Sequence, residues 1–141
     1  VIAYIDTSVV LRIVLDQPDP LREWNELQHG ISNVLLRIEC FRTLDRMWQT
    51  GEVTEDDLGN KRSEVDAMLR NIGIVPLDER VLKIAEQPFP TVISTLDALH
   101  LAAAMSYREK QLKAEQPIIM ATHDGALARA ARAMNFAVLG A

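Results

Sequence analysis

Four carboxylates, Asp6, Glu39, Asp97 and Asp124, lie embedded in apolar sequence instead of on charged stretches, and chemistry is to be sought there first. Asp6 ends the run Val1 to Ile5 and is followed by Thr7 and Ser8, while Glu39 is surrounded by Leu35, Leu36, Ile38, Cys40 and Phe41. Each acid has an ordinary explanation. Asp6 and Asp124 can cap the helices that follow them, a use for which aspartate is among the best residues. Asp97 stands three residues after Ser94 and can be the reciprocal member of a capping box, although Glu or Gln is the usual partner. Glu39 and Arg42, three apart, can form an exposed helical ion pair contributing roughly a few tenths of a kcal/mol.

Convergence would mean something else. Unneutralised carboxylates about 4 Å apart repel by roughly 4 kcal/mol per pair at an effective dielectric of about 20, so such a cluster takes up protons or binds a cation. All the donors would be hard oxygens, with no histidine pair at ligand spacing and one cysteine elsewhere, which selects Mg²⁺ or Mn²⁺ over zinc. Local capping does not require the four to meet; a shared cation does.

The chain must supply a scaffold for that meeting. Its 141 residues suit a single domain over 1–141 that buries a core without a disulfide or structural metal. Hydrophobic residues at 48% and charged residues at 25% are ordinary globular values and exclude disordered and fibrous classes. The lone Cys40 has no intrachain partner and lies among apolar residues, so a buried thiol in a reducing cytoplasm is expected. The first apolar run is too short for a signal peptide or membrane span and is broken by Asp6, so no membrane association is expected. A strand starting this early leaves little room for a further domain before it. A net charge of −5 taken alone disfavours nucleic acid as a partner.

Strand and helix signals alternate along the chain. Ile2 to Ile5 reads as a buried strand and Ser8 to Leu15 as a short helix, broken by Gln17-Pro18-Asp19-Pro20. Leu21, Trp24 and Leu27 or Gln28 follow at helical spacing, Gly30 closes that segment, and Ile31-Ser32 is a short apolar step. Asn33 can cap the next helix, whose apolar side is expected at Val34, Ile38, Phe41, Met47 and Trp48, ending at Gly51. Thr54 and Asp57 resemble a capping box; Leu58, Val65, Leu69 and Ile72 then form a helix face closed by Gly73, before a strand at Ile74-Val75. Asp78 can cap a helix to Glu86, and Ser94 starts the longest helix, which must end before Pro117. Ile118 to Ala121 reads as a fully apolar strand, Gly125 to Met134 as an alanine-rich helix, and Ala137 to Leu139 as a last strand.

Helices between successive strands mean crossover connections, hence an α/β fold with a largely parallel sheet covered on both faces. In such sheets functional groups collect beyond the carboxyl ends of the strands, where two crossovers diverge. Asp6 and Asp124 both follow such strand ends.

These residues resemble the PIN-domain ribonucleases, and within them the VapC-like toxins of type II toxin–antitoxin systems. Asp6-Thr7-Ser8 is similar to the family's opening block, and Ser32, Glu39 and Arg42 to its serine, helix glutamate and following arginine. Thr95 to Ala102, with Asp97, is similar to the third block, and Thr122-His123-Asp124 with Leu127 and Ala131 to the fourth. The resemblance spans essentially the whole chain. It implies a PIN-like three-layer sandwich with a central five-stranded parallel sheet, order 3-2-1-4-5, flanked by helices. It also implies an Mg²⁺- or Mn²⁺-dependent endoribonuclease that hydrolyses RNA through metal-activated water, a cognate antitoxin partner and a homodimer. Asp6, Asp97 and Asp124 would hold metal, Glu39 would activate water or support the site, and Ser8, Thr122 and Arg42 would assist.

Under that reading Arg37, Arg42, Arg46, Lys61 and Arg62 offer a local basic surface, although a charge run is more often a solvated helix face. His100, one turn from Asp97, can touch phosphate or water, and is more simply a packed or exposed ring without a role. Met47, Trp48 and Trp24 are core or subunit contacts before they are base-stacking platforms. Leu21, Trp24, Leu58 and Met68 suit a partner surface or the core alike. One alternative is a non-catalytic PIN-like module that binds protein or RNA. A haloacid-dehalogenase-type phosphatase is less favoured, because the second aspartate such enzymes carry two residues after the first is Ser8 here; a receiver domain lacks its adjacent acidic pair.

Overall fold

The first strand shows why the strands carry no polar alternation. Ile2 and Tyr4 turn toward one helical layer while Ala3 and Ile5 turn toward the other, so both faces of the sheet are core. The computed structural model describes residues 2–27, 29–111 and 117–141; Val1 of the opening apolar run and Gln28 of the expected second helical segment lie outside them.

The strands are β1 (Ile2–Ile5), β2 (His29–Asn33), β3 (Ile72–Val75), β4 (Ile118–Ala121) and β5 (Ala137–Leu139). All pairings are parallel, and the order is β3-β2-β1-β4-β5, as the resemblance implies. The helices are α1 (Thr7–Val14), α2 (Leu35–Gln49), α3 (Glu55–Leu69), α4 (Glu79–Glu86), α5 (Thr95–Lys110) and α6 (Gly125–Ala133), with a 3-10 segment at Arg22–Glu26. Helices α1 to α3 cover one face and α4 to α6 the other, giving three layers. No helix among the described residues is long and apolar enough to cross a membrane.

The helix starts follow the expected caps. Thr54 Oγ1 accepts the Asp57 N–H at 3.2 Å, Asp78 Oδ1 the Val81 N–H at 3.0 Å, and Ser94 Oγ the Asp97 N–H at 3.3 Å. At the other end of α2, Gly51 takes φ +79°; its N–H reaches Trp48 O at 3.1 Å and the Glu52 N–H reaches Met47 O at 2.8 Å. That is the left-handed stop a glycine makes without strain.

Three expectations need correction. Gly30 lies inside β2 and does not close the segment before it, whose helical part is the 3-10 turn at Arg22–Glu26. Ile72 and Gly73 belong to β3 and do not close α3, which ends at Leu69. The core face of α2 is Leu36, Cys40 and Leu44, all fully buried, whereas Val34, Ile38 and Trp48 are 47%, 50% and 43% exposed. Apolar residues ring more than one side of the segment Val34–Phe41, so periodicity alone does not select the buried stripe. Of the residues suited to core or partner surface, Leu21 is buried, and Trp24, Leu58 and Met68 pack partly buried against the same core.

Candidate active site

Strand register brings the first and fourth blocks together. Ile5 pairs with Ala121, and the Asp6 N–H continues the ladder to Ala121 O at 2.9 Å, so the residues just beyond both strands are neighbours. Asp6 Oδ2 accepts from Ser8 Oγ at 2.6 Å, from Thr122 Oγ1 at 2.8 Å and, more weakly, from the Ser8 N–H at 3.4 Å. Each hydroxyl also accepts a backbone proton: Ser8 Oγ from the His123 N–H at 2.9 Å, Thr122 Oγ1 from the Asp124 N–H at 3.0 Å. The two side chains thus have a fixed donor direction toward Asp6. Asp124 caps α6 through Oδ1, which accepts the Leu127 N–H at 2.9 Å. Behind this turn Gly140 has φ +92° and its carbonyl lies 2.9 Å from His123 Nδ1; an added Cβ would stand 2.6 Å from Thr122 O.

Asp97 enters from the first turn of α5, and the oxygen that caps this helix belongs to Ser94. Burial, then the charges of Asp124 and Asp6, push the Asp97 carboxyl up to about 6. Glu39 arrives from α2, in the opposite helical layer. Its Oε1 lies 2.6 Å from His100 Nε2, and the same nitrogen is 3.9 Å from Asp6 Oδ1. Burial alone would lower the His100 pKa; the hydrogen bond to Glu39 and the charges of Asp6, Glu39 and Asp97 outweigh it and raise the pKa above its ordinary value.

Composition and spacing miss the group behind His100. His100, Tyr4 and Asn33 are fully buried, with Tyr4 Oη 3.0 Å from His100 Nδ1 and Asn33 Nδ2 2.8 Å from Tyr4 Oη. The signal available was a polar group in each of three apolar settings, since buried polar atoms need partners. Asn33 was expected as a cap: its Oδ1 accepts the Leu35 N–H at 2.7 Å, one residue before the cap position itself. Ser32 is also buried and donates to Ile5 O at 2.8 Å, tying β2 to the end of β1.

With this geometry in view, comparison with known proteins is decisive: the PIN-domain family model matches residues 3–133. The chain belongs to the PIN-domain family. Within it the chain is VapC-like, being 30% identical over 140 residues to Ribonuclease VapC47 of Mycobacterium tuberculosis, covering 94% of this chain and 92% of that protein. It is 31% identical over 104 residues to Ribonuclease VapC46 of the same species, covering 72% of each. Two crystal structures share the fold at low identity. VapBC2 from Rickettsia felis, bound to a DNA fragment from its promoter, superposes with TM-score 0.67 at 13% identity, covering 98% of this chain and 97% of that one. FitAcB from Neisseria gonorrhoeae gives TM-score 0.69 at 16% identity, covering 96% and 95%.

In this PIN domain the four acids lie toward the carboxyl ends of the central strands, and Asp97 feels the charges of Asp124 and Asp6, yet their oxygens do not converge on a point. Among the described residues no group of three or more His, Cys, Asp and Glu side chains is arranged to hold a metal ion. Local donors account for much of this: Asp6 Oδ2, Asp124 Oδ1 and Glu39 Oε1 each already hold a partner. The donor set still suits a hard divalent cation in kind, being carboxylate oxygen throughout, and the part of the Asp97 rise that comes, after burial, from the charges of Asp124 and Asp6 is one a cation would offset.

Arg42 is not brought to the acids; it pairs with Asp45 at 3.0 Å and is largely exposed. The expected basic surface is mostly engaged elsewhere. Arg37 pairs with Asp66 at 2.7 Å, Lys61 donates to Val14 O at 2.8 Å, and Arg37 and Arg62 lie 4.7 and 4.3 Å from the Phe41 ring centre.

Proposed function

We propose that this PIN domain, acting as a single domain over residues 1–141, is an Mg²⁺- or Mn²⁺-dependent endoribonuclease and the toxin of a toxin–antitoxin pair. The observation that carries the reading is that the Asp97 carboxyl, raised first by burial, is raised further by the charges of Asp124 and Asp6 beyond the carboxyl ends of β1 and β4, to about 6. The similarity to two proteins named ribonucleases supports RNA as the substrate. The family resemblance supports a cognate antitoxin and a homodimer.

Asp6, Asp97 and Asp124 would hold the ion, which when bound supplies charge stabilisation at the scissile phosphate and a more acidic water. Ser8 and Thr122 keep Asp6 Oδ2 engaged and so orient its other oxygen. Glu39, with Oε1 engaged by His100, takes at Oε2 the proton released as water oxygen bonds to phosphorus. The phosphorus–oxygen ester bond breaks on the opposite side, and the leaving oxygen is protonated from solvent.

The test is cleavage of structured RNA by the purified protein, metal-free and then with Mg²⁺ or Mn²⁺, with the RNA ends sequenced. Cleavage should require metal and be lost in Asp6→Asn and Asp97→Asn. Metal-independent cleavage would refute the mechanism, and activity surviving both substitutions would refute the site.

A further inference from the structure

The strongest unexplained feature is the buried chain of hydrogen bonds that ends on Glu39. Its direction can be worked out atom by atom. The Leu35 N–H donates to Asn33 Oδ1 at 2.7 Å, which fixes the amide and aims Nδ2 the other way. Nδ2 lies 2.8 Å from Tyr4 Oη and 3.2 Å from His100 Nδ1, and an amide nitrogen only donates. His100 Nδ1, facing that donor, is therefore an acceptor, and Tyr4 Oη, which accepts from Asn33, turns its own proton to the same Nδ1, 3.0 Å away. Burial raises the Tyr4 pKa, which keeps that phenol protonated.

With Nδ1 an acceptor, a neutral His100 carries its proton on Nε2, facing Glu39 Oε1 at 2.6 Å. A doubly protonated ring would donate to Glu39 from the same atom, so the bond keeps its sense in either state. Two rings at 74° with centres 5.8 Å apart hold the arrangement on the sheet side.

We propose that His100 is a positioning residue for the nuclease reaction, holding the Glu39 carboxylate beside Asp6 through an Nε2–H whose place is dictated by Asn33 and Tyr4. The proposal rests on the reading of Glu39 as proton acceptor given above. Glu39 comes from α2 and would otherwise sample several rotamers; a charge-assisted bond to a ring locked in the core restricts it. His100 Nε2 also lies 3.9 Å from Asp6 Oδ1, so the network ends at the acids and not in the interior. This is the outer support that fixes a carboxylate to within a fraction of an ångström in hydrolytic sites.

The experiment has two arms. In the first, ¹⁵N-histidine spectra of the metal-free wild type, at a pH where the ring is neutral, should show His100 Nε2 protonated and Nδ1 bare. A protonated Nδ1 would overturn the proposal whatever the cleavage assay gives. The second arm compares kcat and KM for His100→Leu, His100→Gln and Tyr4→Phe with Mn²⁺. The glutamine amide reaches about as far as Nε2 and can donate to Glu39, so His100→Gln should stay within several-fold of wild type. His100→Leu should lose kcat by about 10- to 100-fold with KM unchanged, and Tyr4→Phe should fall between. Equal losses in the Gln and Leu variants, or full activity in Leu, would overturn the proposal. Should His100→Leu not fold, Tyr4→Phe against His100→Gln at matched thermal stability decides, Tyr4→Phe at or above the Gln variant counting against it. A wild type inert with both metals would sink the nuclease reading and the positioning role with it, whereas a protonated Nδ1 or equal Gln and Leu losses in an active wild type would sink the positioning role alone.

Discussion

Asp6 and Thr122 are joined by a 2.8 Å hydrogen bond across 116 residues of chain, because β1 and β4 run parallel with Ile5 opposite Ala121. The bond shares its acceptor, Asp6 Oδ2, with Ser8 Oγ at 2.6 Å. Thr122 is fully buried, so losing its hydroxyl leaves both Asp6 and the Asp124 N–H short of a partner. Thr122→Val should therefore cost about 1.5–3 kcal/mol, the range for hydrogen bonds to charged groups. Ser8→Ala should cost less, and the two should be non-additive by more than about 0.5 kcal/mol in a double-mutant cycle of urea unfolding. Simple additivity would mean that the hydroxyls act independently.

The pH dependence of the metal-free protein should carry the mark of Asp97. Its folded pKa, about 6, lies above the ordinary aspartate value of 3.8. A carboxyl raised on folding contributes stability that is present below its unfolded pKa and lost as pH rises through the folded one. Relative to Asp97→Asn, wild type should therefore lose stability between about pH 4 and pH 6 and stay lower above that. Equal pH profiles for the two proteins would contradict the raised Asp97 carboxyl.

Metal should reverse that loss. A divalent ion bound to the folded state at 100 times its Kd stabilises by about 2.7 kcal/mol. Mn²⁺ should raise the melting temperature of wild type at neutral pH, chelator should return it, and Asp97→Asn should blunt the response. An identical response in the variant would place the ion elsewhere.

The orientation of α2 can be checked by a pair of truncations. Leu36→Ala, at a fully buried position, should cost about 2–5 kcal/mol, whereas Ile38→Ala, at a half-exposed one, should stay within about 0.5 kcal/mol. The reverse ranking in denaturant unfolding would restore the face expected from sequence.

Sequence carried most of the fold because its punctuation is local. Thr54, Asp78 and Ser94 each announce a helix that begins where a side-chain oxygen can reach a backbone N–H, and Gly51 announces one that ends. Reading failed where one segment offered two solutions. Ile72 and Gly73 extend a helical pattern, yet pair with β2 as the start of the edge strand β3, where Ile72 and Val75 are buried and the two residues between them are exposed. In α2 excess apolar residues hid the true stripe. The acids were legible as residues set in the wrong surroundings, and the register of β1 on β4 turned two of them into neighbours. Arg42, chosen by motif position, lies against Asp45 because nothing in spacing says which way a long side chain turns. The Tyr4, Asn33 and His100 network was beyond reach for the opposite reason: its bonds span 29 to 96 residues, and no local pattern encodes them.

Cys40 follows Glu39 on α2, is fully buried among the residues that anchor this helix, and has its thiol pushed up to about 12 by burial and by the charges of Glu39 and Asp6. An alkylating reagent can reach that sulfur when the helix lifts from the sheet, an event that also carries Glu39 away from His100. The lone thiol is therefore a stopwatch for site disassembly. Its labelling rate, followed by mass spectrometry, times how often the protein takes the proposed site apart, with and without cations or RNA present.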